Sequence, residues 1–190
     1  FNEVSLRSNA VLLAKGAEAD VSLLSTVPSG GNYRAEQSGT LRLPLLTTML
    51  AGSFNVQTGG VIEAPALQRL VNVRVDIATG ASLSVGQIEE FTLGTLTIAG
   101  GAHEFTNLTA FQENTLILQA GAVVTMPNLA SIDRSTLQIV EGSRLTAGSL
   151  AGFNNSSITL TSLGSVSIPN LTDVTGSSFY VKGQGTRFTM

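Results

Sequence analysis

His103 is the one histidine of the chain, and there is no cysteine. That composition removes thiolate nucleophiles, disulfides and thiolate metal sites together. A zinc site needs several converging ligands, which one imidazole does not supply. No serine or carboxylate stands beside His103 in a nucleophile–base spacing, so a structural role is expected for it. Carboxylates are the remaining chemistry: Asp76, Glu89, Glu90, Glu104, Glu113, Asp133, Glu141 and Asp173. Glycosidic cleavage needs two or three such groups on one face. Here they are dispersed. Glu89 and Glu90 are the adjacent pair, and alternation along a strand turns neighbours to opposite faces. Gly183–Gly185 is too short for a dinucleotide fingerprint, and the dense Gly/Asp runs of calcium-binding solenoids are missing. No catalytic, cofactor-binding or metal-binding residue is assigned, and the expectation is that the chain is not an enzyme.

Composition narrows the class further. Of 190 residues 43% are hydrophobic and 12% charged, which argues for a packed core and against disorder. The ten Lys and Arg are scattered and the net charge is −3. No basic stripe faces phosphates, so no nucleic-acid partner is expected. No apolar run approaches the roughly 18 residues that span a bilayer, so no membrane insertion is expected. The abrupt ends at Phe1 and Met190 suggest a piece of a longer chain.

What must position any site is a repeat of 21 residues. Its rows begin at Ser53, Arg74, Thr95, Thr115, Thr136 and Ser157, with a partial row from Ser178 and weaker rows near Ala10 and Asn32; the Thr95 row is one residue short. The second position reads Val11, Tyr33, Phe54, Val75, Leu96, Leu116, Leu137, Ile158 and Phe179, and the fourth reads Leu13, Ala35, Val56, Ile77, Ile98, Leu118, Ile139, Leu160 and Val181. Alternation with polar neighbours predicts a strand with one face buried. Positions ten and twelve repeat the pattern in Ile62 and Ala64, Leu83 and Val85, Val124 and Met126, and Val166 and Ile168. Between the two strands a glycine suits a sharp corner: Gly59, Gly80, Gly101, Gly121, Gly142 and Gly164. Pro44, Pro65, Pro127 and Pro169 end the second strand. Leu24, Leu46, Leu67, Ile88, Leu108, Leu129, Leu150 and Leu171, each followed three residues on by Val27, Met49, Leu70, Phe91, Phe111, Ile132, Phe153 or Val174, imply a bent or turn-like third side.

One row cannot bury its inner face, whereas stacked rows turn each apolar column into a ladder. The expected fold is all-β: a parallel β-helix or β-solenoid of about eight or nine coils at ~4.8 Å each, right-handed by the general preference for such crossovers. Residues 1–190 form one domain in this reading, with degenerate coils over 1–52 and regular coils over 53–190. Asn107, Asn128 and Asn170 share a column and suggest a structural amide ladder at a corner.

Two outer faces are candidates for binding. The first strand presents Arg34, Asn55, Asp76, Thr97, Ile117, Gln138, Thr159 and Tyr180. The second presents Arg42, Glu63, Ser84, Glu104, Thr125, Thr146 and Ser167, where charged residues interrupt the hydroxyl array that an ice-binding face would use. Tyr180 is the aromatic on an outer face and is the candidate surface contact for a glycan.

The rows Thr115–Ser135 (TLILQAGAVVTMPNLASIDRS) and Ser157–Ser177 (SITLTSLGSVSIPNLTDVTGS) resemble the tandem repeats of very large bacterial surface proteins, in their Gly-x-φ-x-φ-Pro-x-Leu and Ser/Thr-φ-x-φ elements. The Ile-Pro-Asn-Leu-x-x-Val run also resembles bacterial leucine-rich repeats, which are longer and place Asn differently; a plain β-solenoid is therefore preferred. The likeness covers Ser53 to Met190 well and the first 50 residues poorly. It implies an extracellular or cell-surface setting and a structural or adhesive role, as rod-like spacer or interaction surface. A glycan- or ice-binding module is the alternative, and a polysaccharide-acting enzyme is less favoured. The resemblance and the outer faces leave protein or glycan as the partner classes. Exposed edge strands at the ends suggest end-to-end self-association.

Overall fold

The computed structural model describes residues 10–21, 26–27 and 30–190. They form an all-β solenoid in which every paired strand is parallel and the next coil lies about 21 residues on. Three strands per coil make a three-sided cross-section.

The first side is a continuous nine-stranded sheet from Ala10–Lys15 and Gly31–Glu36 to Ser178–Val181. The second side is two sheets. Glu18–Asp20, Thr40–Arg42, Val61–Glu63 and Ser82–Leu83 form one; Ala102–Glu104, Val123–Thr125, Arg144–Thr146, Ser165–Ser167 and Arg187–Thr189 form the other. The third side is a seven-stranded sheet from Thr26–Val27 to Gly152–Asn154. This corrects the bent third side expected from the spacing of three. That spacing spans a tight corner followed by a true strand, whose central residue, such as Leu70, Phe91 or Phe111, points inward.

The inward columns are buried. Tyr33, Phe54, Phe91, Phe111 and Phe153 are each at most 1% exposed. Stacking continues from coil to coil, with Tyr33 and Phe54 rings 5.2 Å apart and Phe91 and Phe111 rings 5.8 Å apart. Positions four, ten, twelve and fifteen are buried through the middle coils as the repeat predicts, except at half-buried His103. Leu24 lies outside the described residues.

The first coil departs from the expected register. Leu12 pairs with Tyr33 and Ala14 with Ala35, so Leu12 and Ala14 face inward while Val11 and Leu13 are 66% and 50% exposed. A slip of one residue exchanges the faces of a strand, and the weak early rows gave no second column to fix it. In the last coil the core residues are partly uncovered, Val174 being 42% and Val181 47% exposed.

The corners show why particular residues recur. The first is a β-turn closed by main-chain bonds such as Gly60 N–H to Gln57 carbonyl (2.7 Å) and Ser143 N–H to Val140 carbonyl (3.0 Å). It needs positive φ, supplied by Gly59, Gly80, Gly121 and Gly142. In the Ser157 coil the expected Gly164 is displaced by one: Leu163 takes the left-handed position at φ 68°. Gly164 is needed for a different reason, since a Cβ there would lie 2.2 Å from the Ile139 carbonyl oxygen. The second corner places Pro44, Pro65, Pro127 or Pro169 after the turn's first residue, where a fixed φ is favourable; its closing bonds include Leu67 N–H to Ala64 carbonyl (3.0 Å).

The third corner holds a polar column that the repeat analysis did not single out. Asn114, Ser135 and Ser156 are buried at 3–5% exposure. Ser135 Oγ accepts from Asn114 N–H (3.1 Å) and donates to the Asp133 carbonyl (2.9 Å). Ser156 Oγ accepts from Ser135 N–H (3.0 Å), and Ser177 Oγ accepts from Ser156 N–H (3.0 Å). Each hydroxyl thus satisfies a corner amide of the coil before it, a group that would otherwise be buried unpaired.

Two stability measurements follow. Ser135→Ala leaves the Asn114 amide without its acceptor and is expected to lower unfolding free energy by about 1–3 kcal/mol in urea titration. Tyr33 has a buried hydroxyl with no hydrogen-bond partner among the described residues, and burial pushes its phenol pKa up. Tyr33→Phe is expected to leave stability unchanged or raise it by about 1 kcal/mol; a clear loss would show that the hydroxyl is bonded.

Candidate functional site

Side chains alternate along the second-side strands, so Leu145, Val166 and Phe188 turn inward and their neighbours turn out. Two outward columns result. One runs Val123, Arg144, Ser165, Arg187; the other runs Glu104, Thr125, Thr146, Ser167, Thr189. Over the last three coils they line an open groove of ≈ 630 Å³, flanked by Gly142, Leu163 and Gly185.

The arginines in this groove differ from the other described arginines. Lys15, Arg34, Arg42, Arg69, Arg74 and Arg134 each form an ion pair, for example Arg69 with Glu90 of the next coil at 2.7 Å. Arg144 and Arg187 have no ion-pair partner among the described residues. They stand in one column on either side of Ser165, two coil steps or about 10 Å apart along the axis. Glu141, next to the groove's Gly142, accepts from the Ala120 N–H at 3.0 Å. Thr146, Ser165, Ser167 and Thr189 make no side-chain hydrogen bond among the described residues and are free to bond a ligand.

Leu163 adds an apolar wall. It is 60% exposed and sits at φ 68° where the preceding coils carry Gly121 and Gly142. A bulky side chain in the left-handed region is strained. It leans over the next coil, since a Cβ on Gly185 would lie 2.5 Å from its Cδ2.

Of the binding candidates singled out from sequence, Thr146 and Ser167 line the groove, and the others fall elsewhere. Asn128 Nδ2 donates to the Thr106 carbonyl (2.7 Å) and Asn170 Nδ2 to the Gly148 carbonyl (2.6 Å). These amides bond the main chain of the preceding coil instead of one another. Asn107 is exposed in the same column, its N–H donating to the Gly86 carbonyl at 3.1 Å. Tyr180 lies on the first side, 54% exposed, beyond Thr159. Glu113 bonds Arg134 and Glu89 bonds Gln68. No cluster of three or more metal-ligating side chains occurs among the described residues, and no helix there is long and apolar enough to cross a membrane.

Sequence reasoning tested one outward column per strand and so passed over Arg144, Ser165 and Arg187. Arg187 was further hidden because the last coil is longer at its first corner: Ser157 pairs with Ser178 but Ser165 pairs with Arg187.

His103 takes the column of Val124 and Leu145. The corner before it, Gly100–Gly101, is the short place in the Thr95 row, and there the second side divides into two sheets. The ring folds back under that corner, Nε2 3.3 Å from the Gly100 carbonyl, and a Cβ on Gly101 would lie 3.1 Å from Nε2. Burial lowers the imidazole pKa, and the Gly100 hydrogen bond opposes that in part. The folded protein therefore binds this proton less readily than the unfolded chain. Stability from this site is complete above the unfolded value of about 6.5 and falls as pH drops below it. Melts between pH 8 and 5 should show that loss, and His103→Leu, which restores the column's residue type, should flatten it.

No protein-family model matches this chain, and no curated protein or solved structure is significantly similar to it.

Proposed function

We propose that this chain is a non-catalytic structural and adhesive module of a bacterial cell-surface or secreted protein, a rod-like spacer that presents an interaction surface along its sides. The observation that carries the reading is the unbroken first-side sheet of nine parallel strands, which ties every described coil to its neighbours. Such stacking makes a stiff, extended body with long, regular faces. The likeness of its rows to bacterial surface repeats supports the setting. Arginine pairing of Glu90 and Glu113 supports a non-catalytic role, because those carboxylates already have cationic partners. In this proposal the apolar residues uncovered in the last coil are met by a second copy of the chain.

Ice binding is the second reading, supported by the hydroxyl run Thr125, Thr146, Ser167 and Thr189 over four successive coils. The arginines in the adjacent column break the flat array such binding would use. The chain is expected to release no reducing ends from neutral or acidic polysaccharides above a heat-treated control, and to give no thermal hysteresis in freezing-point measurements. Released ends that scale with protein would overturn the non-catalytic reading, and hysteresis would favour ice.

A further inference from the structure

We propose that the groove over Arg144–Thr146, Ser165–Ser167 and Arg187–Thr189 binds a linear, carboxylate-bearing polysaccharide laid along the solenoid axis. This rests on the non-catalytic reading above and names its ligand class. Arg144 and Arg187 each take one carboxylate. A guanidinium fork matches a carboxylate with two parallel hydrogen bonds, which are stronger than neutral ones.

The spacing argues for a polymer. Arg144 and Arg187 stand two strand spacings, about 10 Å, apart along the axis, on the length scale of a disaccharide, so a chain with one uronate per disaccharide presents its charges in step with them. Ser165 stands between the arginines, opposite the intervening neutral sugar. Thr146, Ser167 and Thr189 run parallel as a row of free hydroxyls for ring substituents. The exposed Leu163 side chain gives the C–H face of a sugar ring an apolar wall. Its backbone takes the left-handed conformation where the neighbouring coils use Gly142 and Gly185, so the groove carries a side chain there that those coils lack.

Charge separates this occupant from its competitors. A nucleic acid calls for many cations tracking its phosphates, whereas the groove offers two in a chain of net charge −3. A neutral glycan would leave both guanidiniums without an anionic partner.

The test is a calorimetric titration with an oligouronate, its carboxyl-reduced neutral counterpart and a sulfated oligosaccharide of similar length, each at low and high salt. Saturable oligouronate binding that weakens with salt is expected, with little from the neutral form. Arg144→Gln and Arg187→Gln should each weaken it about tenfold, and the double substitution should abolish it. Arg69→Gln, on the third side, should leave it unchanged. Leu163→Gly should weaken binding several-fold without lowering the melting temperature, since glycine relieves the left-handed strain. Circular dichroism and melting curves confirm that each variant is folded. No oligouronate binding, equal binding of the neutral form, tighter binding of the sulfated oligomer, or an unaffected double variant would each overturn the assignment. Shortening of the oligouronate during titration would instead overturn the non-catalytic reading, so the two failures are distinguishable.

Discussion

Main-chain hydrogen bonds between neighbouring coils are the constraint on which everything else in this molecule depends. A strand of two to six residues has no partner within its own coil, and its amides and carbonyls are satisfied by strands about 21 residues away. The same register aligns the side chains, because pairing Val75 with Phe54 and with Leu96 sets three apolar residues in one column. Hydrogen bonding and burial therefore reinforce one choice of coil length. A one-residue error in a strand would expose every inward residue of it.

Where coil length does vary, the corners absorb the difference. The Gly100–Gly101 corner is short and the corner before Arg187 is long, yet the first side pairs without a bulge through both. The short corner has a local effect: the second side divides there, and His103 replaces the aliphatic residue of its column. Corners also carry the polar satisfaction that strands cannot. The buried series Asn114, Ser135 and Ser156 bonds the N–H groups of successive coils at the third corner, and αL residues such as Glu113, Arg134 and Asn155 precede it.

Those facts explain what could be read in advance. Columns of Leu, Ile, Val and Phe at fixed spacing made the two main strands, the glycine corner and the proline corner legible, because each answers to a periodic physical demand. The third side was misjudged because its strands are short and one inward residue apiece, Phe91 or Phe111, cannot show an alternation. The first coil was misjudged because Val11 and Leu13 are as apolar as Leu12, so composition could not choose the face. Leu163 and Gly164 exchanged roles since both positive φ and close main-chain approach favour glycine. The groove was the least legible feature. It depends on which arginines lack a partner, and pairing across coils, as of Arg134 with Glu113, becomes visible only once the coils are stacked. The interior thus dictates a regular frame and leaves the outward columns free to differ from coil to coil.

If each coil is held chiefly by its neighbours, removing one whole coil in register should leave the others able to close over the gap. Deletion of the 21 residues from Thr136 to Ser156 joins Ser135 to Ser157, which keeps a serine in the corner column and restores every strand register. Small-angle scattering and urea unfolding of this shortened chain test the account most directly. It predicts a folded, cooperatively unfolding β protein shorter along its axis by one strand spacing of about 4.8 Å. An expanded chain without a cooperative transition would contradict it.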